Sequence, residues 1–352
     1  MKPEELRKAL QDKASALVGC LSSLRTVSSR RRDPCQKGEA LPMPCGFASD
    51  EARLLSCKAF RVMDARTQVF SFPENELVRD RKVHVLEVVA NAVVASEMLG
   101  LNTNLVRAAA IGHDMGHVPF GHVGEAWMGR VMGRPEFCHE VMGPIIAQHI
   151  ERKGVGLNLT WDTMDAMMRH SGTFAKGPMS PEAKVLNYAD KIAYLFHDAN
   201  DIFVRMRYPI SQELQEVLDF FGENQRERGS TVISALVVES AELGRVSLEH
   251  SEVAKKFAQL RKLMYEIYPR VTQQNVGDQL GPLLDFLTKL NVGDPFLVLA
   301  LMTDRDVTLM TQEAMMDMRS FNRTTVSEIV RRFQEAGKPL GGIDLCDPDL
   351  NW

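Results

Sequence analysis

His113-Asp114-Met115-Gly116-His117-Val118-Pro119-Phe120-Gly121-His122-Val123-Gly124-Glu125 is the stretch around which the chain is organised. Three histidines, an aspartate and a glutamate share it with three glycines and a proline. Apolar residues at 106–111 lead into it, which predicts a helix delivering His113 and Asp114 near its end. Gly116, Pro119 and Gly121 keep one straight helix from running on through the run. Such a segment suits a bent metal-binding turn between helices.

The flanking segments read as helices too. Residues 79–99 carry apolar side chains nearly all round, including Val83, Val85, Leu86, Val88, Val89, Val93, Val94, Met98 and Leu99, which predicts a central, buried helix. Arg81 and His84 share one face of it. Taken alone, a histidine there reads either as a satisfied core residue or as a ligand. Gly100 stops this helix, and Asn102 or Asn104 can cap the next. Residues 124–132 and 136–152 read as two further helices, the second holding His139. In 182–205, Asp190, Tyr194 and Asp198 recur at i, i+4, i+8 beside an apolar face. That stripe is either a solvated edge or a face turned into a pocket.

Outside this region, 3–24 reads as a helix. Ser28-Ser29-Arg30-Arg31-Arg32 reads as a solvated basic linker or as an arm reaching for phosphate, and a Pro/Gly-rich passage follows to about Ser49. Between Arg53 and Lys82 there are seven Lys/Arg against four Asp/Glu, a surplus able to attract an anionic ligand. Apolar repeats near 212–221, 230–243, 253–268, 280–290, 295–316 and 325–334 suggest a helical appendage with little chemistry of its own. Met310, Met315, Met316 and Met318 there read as adaptable packing. No alternating strand series is evident, so the expected class is all-α. The expected organisation is an N-terminal helix and basic arm over 1–50, a catalytic core over 51–205, and a helical region over 206–352 packed on it.

Composition bounds the function. The chain has 352 residues, 45% of them apolar, and a net charge of −4, which argues against a protein built globally for nucleic acid. Six cysteines without CxxC spacing, Cys35 and Cys45 among them, read as reduced thiols of a cytoplasmic protein. No apolar stretch approaches the roughly 18 to 20 residues of a membrane span, and the N-terminal segment lacks the apolar region of a signal peptide.

His84, His113, Asp114 and Asp190 offer two imidazoles and two carboxylates, a mixed set suited to Mn²⁺, Fe²⁺, Mg²⁺, Co²⁺ or Zn²⁺. Such an ion would polarise phosphorus–oxygen bonds and generate hydroxide near neutral pH. A rival metal reading takes His113 and His117 as the i, i+4 pair of a zinc-protease helix. Gly116 and Pro119 break the helix that motif needs, and Asp114 is one methylene shorter than its usual glutamate base.

Together these residues resemble the HD-domain phosphohydrolases, and within them the deoxynucleoside triphosphate triphosphohydrolases, the dGTPase-like group. The resemblance starts at the Ser-Arg-Arg-Arg arm. It runs through Arg53-x4-Lys58-Ala-Phe-Arg61, Thr67-Gln68-Val69-Phe70, Arg79-x-Arg81-x2-His84 and the run from His113 to Glu125. It continues through Gly156-Leu-Asn-Leu-Thr160, Arg169-His170-Ser-Gly172 and Ala189-Asp-x-Ile-Ala-Tyr-x2-His-Asp198, with a fainter echo at Met302-Thr-Asp-Arg305. It implies an all-α HD fold with His84, His113, Asp114 and Asp190 as metal ligands. It implies His122 and Glu125 as a catalytic pair, with the carboxylate holding the imidazole's tautomer. His117 matches a histidine that contacts phosphate and His139 resembles another. Arg81 and Lys191 match triphosphate contacts, Gln68 and Asp198 match groups that read the sugar 3′-hydroxyl, and Tyr194 matches a ring packed on the deoxyribose. Arg53, at the head of one motif, is expected among the substrate contacts.

The implied reaction is water attack at the α-phosphorus of a deoxynucleoside triphosphate, releasing deoxynucleoside and triphosphate. A homo-oligomer, hexamer or tetramer, and a nucleotide or single-stranded DNA effector belong to the same resemblance. Two other readings stay open from the sequence: another HD phosphohydrolase acting on a nucleoside monophosphate or signalling nucleotide, and a DNA-binding regulatory module. The chain departs from the family where an Asn-x-x-Gln-Ser-x-x-Arg run commonly stands, since here His139-Glu-Val-Met-Gly-Pro144 replaces it. Base preference is therefore not legible.

Overall fold

A computed structural model describes residues 2–32, 46–272, 275–312 and 316–349. The chain is all-α, and the described residues form helices with no strand, only isolated bridges between Arg31 and Thr160 and between Thr67 and Asp80. In chain order the main helices are α1 (Pro3–Ala16), α2 (Phe47–Ser56), α3 (Arg81–Leu99), α4 (Thr103–Gly112), α5 (Gly121–Met132), α6 (His139–Ile145), α7 (Trp161–Met168) and α8 (Pro181–Ala199). They continue as α9 (Gln212–Phe221), α10 (Gln225–Leu243), α11 (Glu252–Val271), α12 (Gly277–Leu290), α13 (Pro295–Leu301), α14 (Asp304–Gln312) and α15 (Thr325–Glu335).

Local chemistry sets the ends of the helices that carry the site. The Asp80 carboxylate caps α3 by accepting from Val83 N at 2.8 Å, and Gly100, at φ +77°, closes it in the left-handed conformation. The Asn102 side chain caps α4, and Ser180 caps α8 ahead of Pro181 in its first turn. Helices α3, α4 and α8 pack on one another, with α2 and α7 against α4 and α10 against α3 and α8. Two glycines of the central run are required by close approach. A Cβ on Gly116 would meet the His139 carbonyl oxygen at 2.1 Å, and one on Gly124 would meet that of Pro119 at 1.9 Å. The first lets α6 lie against the turn that follows His113.

Several expectations need correction. Helix α1 stops at Ala16, with only a short 3₁₀ turn at Ser22–Leu24, so 3–24 is not one helix. Helix α3 is not buried all round. It turns Val83, Leu86 and Val94 outward at 42%, 51% and 48% exposure, because its neighbours cover only the opposite side. The expected helix over 136–152 starts at His139, carries Pro144 internally, and widens into a π turn over Ile146–Ile150. The stretch 295–316 is broken between α13 and α14 at Met302-Thr303.

The arginine arm keeps Ser28, Arg30 and Arg32 exposed, is tied to the fold by its arginines, and does not line the cavity described below. Arg31 donates to Asp50 Oδ1 at 2.6 Å and to the carbonyls of Gly46 and Asn158, and Arg32 donates to the carbonyls of Gln148 and Val155. Arg30 sits over the Trp161 ring. The Pro/Gly-rich passage with Cys35 and Cys45, and Met315, lie outside the described residues. Cys20, Cys57, Cys138 and Cys346 are free thiols. No described helix is long and apolar enough to cross a membrane.

Candidate active site

Helix α4 ends at Gly112, and the next residues turn, so His113 and His117 do not share a continuous helix as a zinc-protease motif needs. Phe120 follows at φ +66°, a strained conformation for a non-glycine residue, and its N–H donates to Asp304 Oδ1 at 2.9 Å. The turn therefore aims His117 and His122 from opposite sides of one bend.

His113 is fully buried. Its Nδ1 lies 2.7 Å from the Ala110 carbonyl, which can only accept, so that nitrogen carries the proton and Nε2 points inward as a lone pair. His113 Nε2 has no hydrogen-bond partner, while Asp114 Oδ1 lies 3.4 Å away and Asp190 Oδ1 3.8 Å. His84 Nε2, delivered by the first turn of α3, is 3.2 Å from Asp190 Oδ1 and 3.7 Å from Asp114 Oδ2. A buried acceptor nitrogen facing two carboxylates is unfavourable without a cation between them. Metal–ligand bonds of about 2.1 Å place adjacent ligands about 3 Å apart, close to these separations. The four groups thus fit a divalent ion, with the Ala110 carbonyl orienting one imidazole from behind. Burial pushes the His113 ring down to about 4, which keeps it neutral and able to ligate. Burial also opposes charge on Asp114, yet His113, Arg81 and His117 together hold its carboxyl well below the ordinary range.

These groups border a cavity of about 890 Å³, within the roughly 300–1,000 Å³ usual for small-molecule sites. Twelve of the fourteen residues singled out from sequence line it: His84, Asp114, His117, His122, Glu125, His139, Asp190, Gln68, Arg81, Lys191, Tyr194 and Asp198. His113 sits directly behind the lining. Arg53 does not line the cavity. Its guanidinium donates to the carbonyls of Leu157 at 2.9 Å and Asn158 at 2.6 Å, so within this chain it ties α2 to a loop and the expected substrate contact is not made there.

The His122–Glu125 pair is looser than expected. Glu125 Oε2 is 3.7 Å from His122 Nδ1 but 2.9 Å from His139 Nδ1, because His139 is buried beside it while the His122 side chain is 74% exposed at the mouth. His139 also stacks on His117 with ring centroids 3.8 Å apart. Burial opposes a charge on His139, but the carboxylates of Glu140 and Glu125 outweigh it and raise the ring to about 9.

The surplus of positive charge in 53–82 is mostly consumed within the fold. Arg79 is buried and paired with Asp198, Asp201 and Glu87. Arg66 is buried beside Arg81, and burial brings it down to about 10. Only Arg81 of that segment lines the cavity, with Nη1 2.6 Å from Asp114 Oδ2. The other lining cations are Lys176, Lys184, Lys191 and Arg261. Burial, with Arg261 nearby, lowers the Lys191 ammonium to about 8.

The region after residue 205 is not chemically silent. Helix α11 brings Arg261, Tyr265 and Tyr268 to the cavity. The Tyr268 hydroxyl donates to Asp198 Oδ2 at 2.8 Å, so this carboxylate meets the cavity already held by a tyrosine and an arginine. Asp304 on α14 reaches two site loops, accepting from Thr67 N at 2.8 Å and from Phe120 N. The sequence signals for these were an Arg261-x3-Tyr265-x2-Tyr268 stripe along one helix face and the short Met302-Thr-Asp-Arg305 echo. His170 was also missed as a site residue, although its motif was legible. It lines the cavity with its Nε2 3.2 Å from His139 Nε2.

Paired His and Asp side chains at the junctions of packed helices define an HD-domain protein, and a family model described as the HD domain matches residues 81–198. A deoxyguanosinetriphosphate triphosphohydrolase-like protein of Caldanaerobacter subterraneus subsp. tengcongensis is 33% identical over 267 residues, covering 76% of this chain and 76% of that protein. One of the same description from Desulfatibacillum aliphaticivorans is 32% identical over 258 residues, 70% of this chain and 71% of that protein. Another, from Clostridium perfringens, is 34% identical over 228 residues, 62% of this chain and 66% of that protein. The chain belongs to the dGTPase-like family of HD-domain proteins.

Proposed function

We propose that this chain hydrolyses deoxynucleoside triphosphates at the α-phosphate with a divalent metal ion, releasing deoxynucleoside and inorganic triphosphate. One observation carries the reading. A single cavity has the His84/His113/Asp114/Asp190 set at one end, the Asp190–Tyr194–Asp198 stripe along a wall, and five Lys/Arg side chains around it. Asp190 and Asp198 are eight residues apart on α8, about 12 Å by helix rise, a span that suits a nucleotide laid along the helix. The family relatives named above are described as deoxyguanosinetriphosphate triphosphohydrolase-like proteins, which supports a reading of this class.

His84, His113, Asp114 and Asp190 hold the ion in this reading. Bound there, it would polarise a phosphate oxygen and lower the pKa of water. Arg81, Lys191 and the other lining cations balance the charge of the triphosphate. An anion beside Lys191 favours its charged form, opposing the effect of burial. His122, at the mouth, exchanges a proton at the leaving 5′-oxygen, and Glu125 fixes the imidazoles around it. Gln68 Oε1 is a buried acceptor without a partner, and a sugar 3′-hydroxyl supplies the donor it lacks. Asp198 keeps acceptor capacity beyond its bonds to Arg79 and Tyr268 and serves the same hydroxyl. The Tyr194 ring against the deoxyribose leaves no space for a 2′-hydroxyl. The test is to incubate the purified protein with each deoxynucleoside triphosphate and several divalent metals and to separate the products. Triphosphate is expected, and orthophosphate or pyrophosphate in its place would overturn the reading.

A further inference from the structure

We propose that Lys184 is a further specificity-determining residue, contacting the far end of the substrate's polyphosphate chain in an arm of the cavity that runs away from the sugar. This deepens the proposed function and rests on its placement of the nucleoside along Tyr194 and Asp198. Helix α8 shows the arm. Lys184, Asn187, Lys191, Tyr194 and Asp198 recur at i, i+3, i+7, i+10 and i+14, so one helix face borders the cavity from end to end. Asp190, the proposed ligand, divides that wall. Asp198 lies eight residues after it and Lys184 six residues before it, about 12 Å and about 9 Å by helix rise. The Asn187 amide nitrogen donates to the His170 carbonyl at 2.5 Å, which sets the 171–176 turn, with Lys176, beside the Lys184 arm.

The two arms differ in chemistry. Towards Asp198 the wall is aromatic, with Tyr194 and Tyr268, and the Asp198 carboxylate is already held by Arg79 and Tyr268. Towards Lys184 the lining carries Lys176, Lys184 and Lys191. Glu140, the carboxylate nearest the 171–176 turn, accepts from Ser171 Oγ at 2.6 Å and lies 3.2 Å from His139 Nδ1. The lysines on α8 are aimed by one ring. Lys184 Nζ and Lys191 Nζ lie 5.4 Å and 5.5 Å from the centroid of Tyr188, whose hydroxyl accepts from Leu248 N at 3.1 Å. Among the described residues, neither ammonium has a carboxylate at hydrogen-bonding distance. Lys191 donates to the Asn187 amide oxygen at 2.6 Å, a neutral acceptor, and Glu249 Oε1 stands 3.9 Å from Lys184. Two ammonium groups on one ring repel each other, and a multiply charged anion between them relieves the repulsion. A monophosphate held at the metal-ligand set stops short of Lys184, whereas a chain of three phosphates extends towards it. Lys184 thereby makes affinity depend on the length of the tail.

The experiment titrates inorganic triphosphate and, separately, deoxyguanosine monophosphate into the full chain with Mn²⁺ present, read by isothermal titration calorimetry. Lys184→Met keeps the apolar stem and removes the charge, and it should weaken triphosphate binding about tenfold. Its affinity for the monophosphate should match the wild type, which a general structural disturbance would not leave intact. Lys184→Arg should restore most of the triphosphate affinity. Equal triphosphate affinity in wild type and Lys184→Met, or an equal loss for both ligands, would overturn the proposal. These affinities are measured without turnover. A selective loss of triphosphate affinity in a protein that releases no triphosphate from deoxynucleotides would sink the function and leave this contact standing. Triphosphate release by a chain whose Lys184→Met variant binds triphosphate as the wild type does would do the reverse.

Discussion

Asp304→Ala tests how the C-terminal region holds the site. The Asp304 carboxylate is buried and accepts from Thr67 N at 2.8 Å, Phe120 N at 2.9 Å and the Thr67 hydroxyl. The hydroxyl keeps a second partner in Ser71 Oγ at 2.8 Å, so truncation strands two backbone donors. Each unsatisfied buried donor costs about 1–3 kcal/mol, giving about 2–6 kcal/mol in all. Burial already raises the Asp304 carboxyl, so part of that cost is offset by no longer burying a charge. A net loss of about 3 kcal/mol is the expectation. Asp304→Asn keeps one acceptor oxygen and should lose about half as much. The assay is urea unfolding followed by far-ultraviolet circular dichroism, with the slope unchanged and the midpoint lowered. Because the two donors flank Gln68 and the His117–His122 bend, turnover should also fall under conditions where the variant stays folded. An Asp304→Ala protein within about 0.5 kcal/mol of wild type would refute this reasoning.

Three further outcomes are expected. His122→Ala should lower kcat by about 10²- to 10⁴-fold with metal content unchanged, and undiminished turnover would remove the proton-transfer assignment. Chelation should lower the thermal midpoint of the wild type, since a bound ion stabilises only the folded state. Asp190→Ala should be insensitive to chelator, and a variant that still responds like wild type would exclude Asp190 as a ligand. Glu239 gives a pH dependence. It is buried and accepts from Ser247 Oγ at 2.9 Å, Ser251 N at 3.0 Å and His250 N at 3.1 Å. Burial opposes its charge, but the Glu249 N–H, which also donates to it, together with the Ser251 N–H and the Ser247 hydroxyl, holds the carboxyl down at about 2 against an ordinary 4.5. A depressed folded-state value contributes stability above the unfolded value and loses it as pH falls from about 4.5 towards 2. With solvent nearby the contribution is about 1–2 kcal/mol. Glu239→Gln should flatten that part of a stability–pH profile measured by thermal unfolding, and an unchanged profile would contradict the assignment.

Local chemistry made much of this molecule readable in advance. The cap at Asn102, the stop at Gly100 and the bend at Gly116 to Gly121 are short-range effects, and the structure ends the one helix and starts the next where they were expected. Residues at helical spacing, such as Asp190, Tyr194 and Asp198, come out on one cavity wall because periodicity fixes a shared face. Pairings between distant segments were not readable. Arg79 is 119 positions from Asp198, and nothing local marks it as a structural counter-ion while Arg81, two residues on, faces the cavity. The same limit hid Tyr268 and Asp304, whose partners lie 70 and 237 positions away. For Arg53, motif position suggested substrate, whereas packing of α2 against the 157–158 loop gave it carbonyls to satisfy.

The measurement that tests the central claim most directly follows the solvent oxygen. Hydrolysis of a deoxynucleoside triphosphate in water carrying heavy oxygen, with products resolved by mass spectrometry, reports which phosphorus is attacked. Attack at the α-phosphorus places one heavy oxygen in the released triphosphate and leaves the deoxynucleoside 5′-hydroxyl unlabelled. Label in orthophosphate or pyrophosphate, or in the deoxynucleoside itself, would contradict the account.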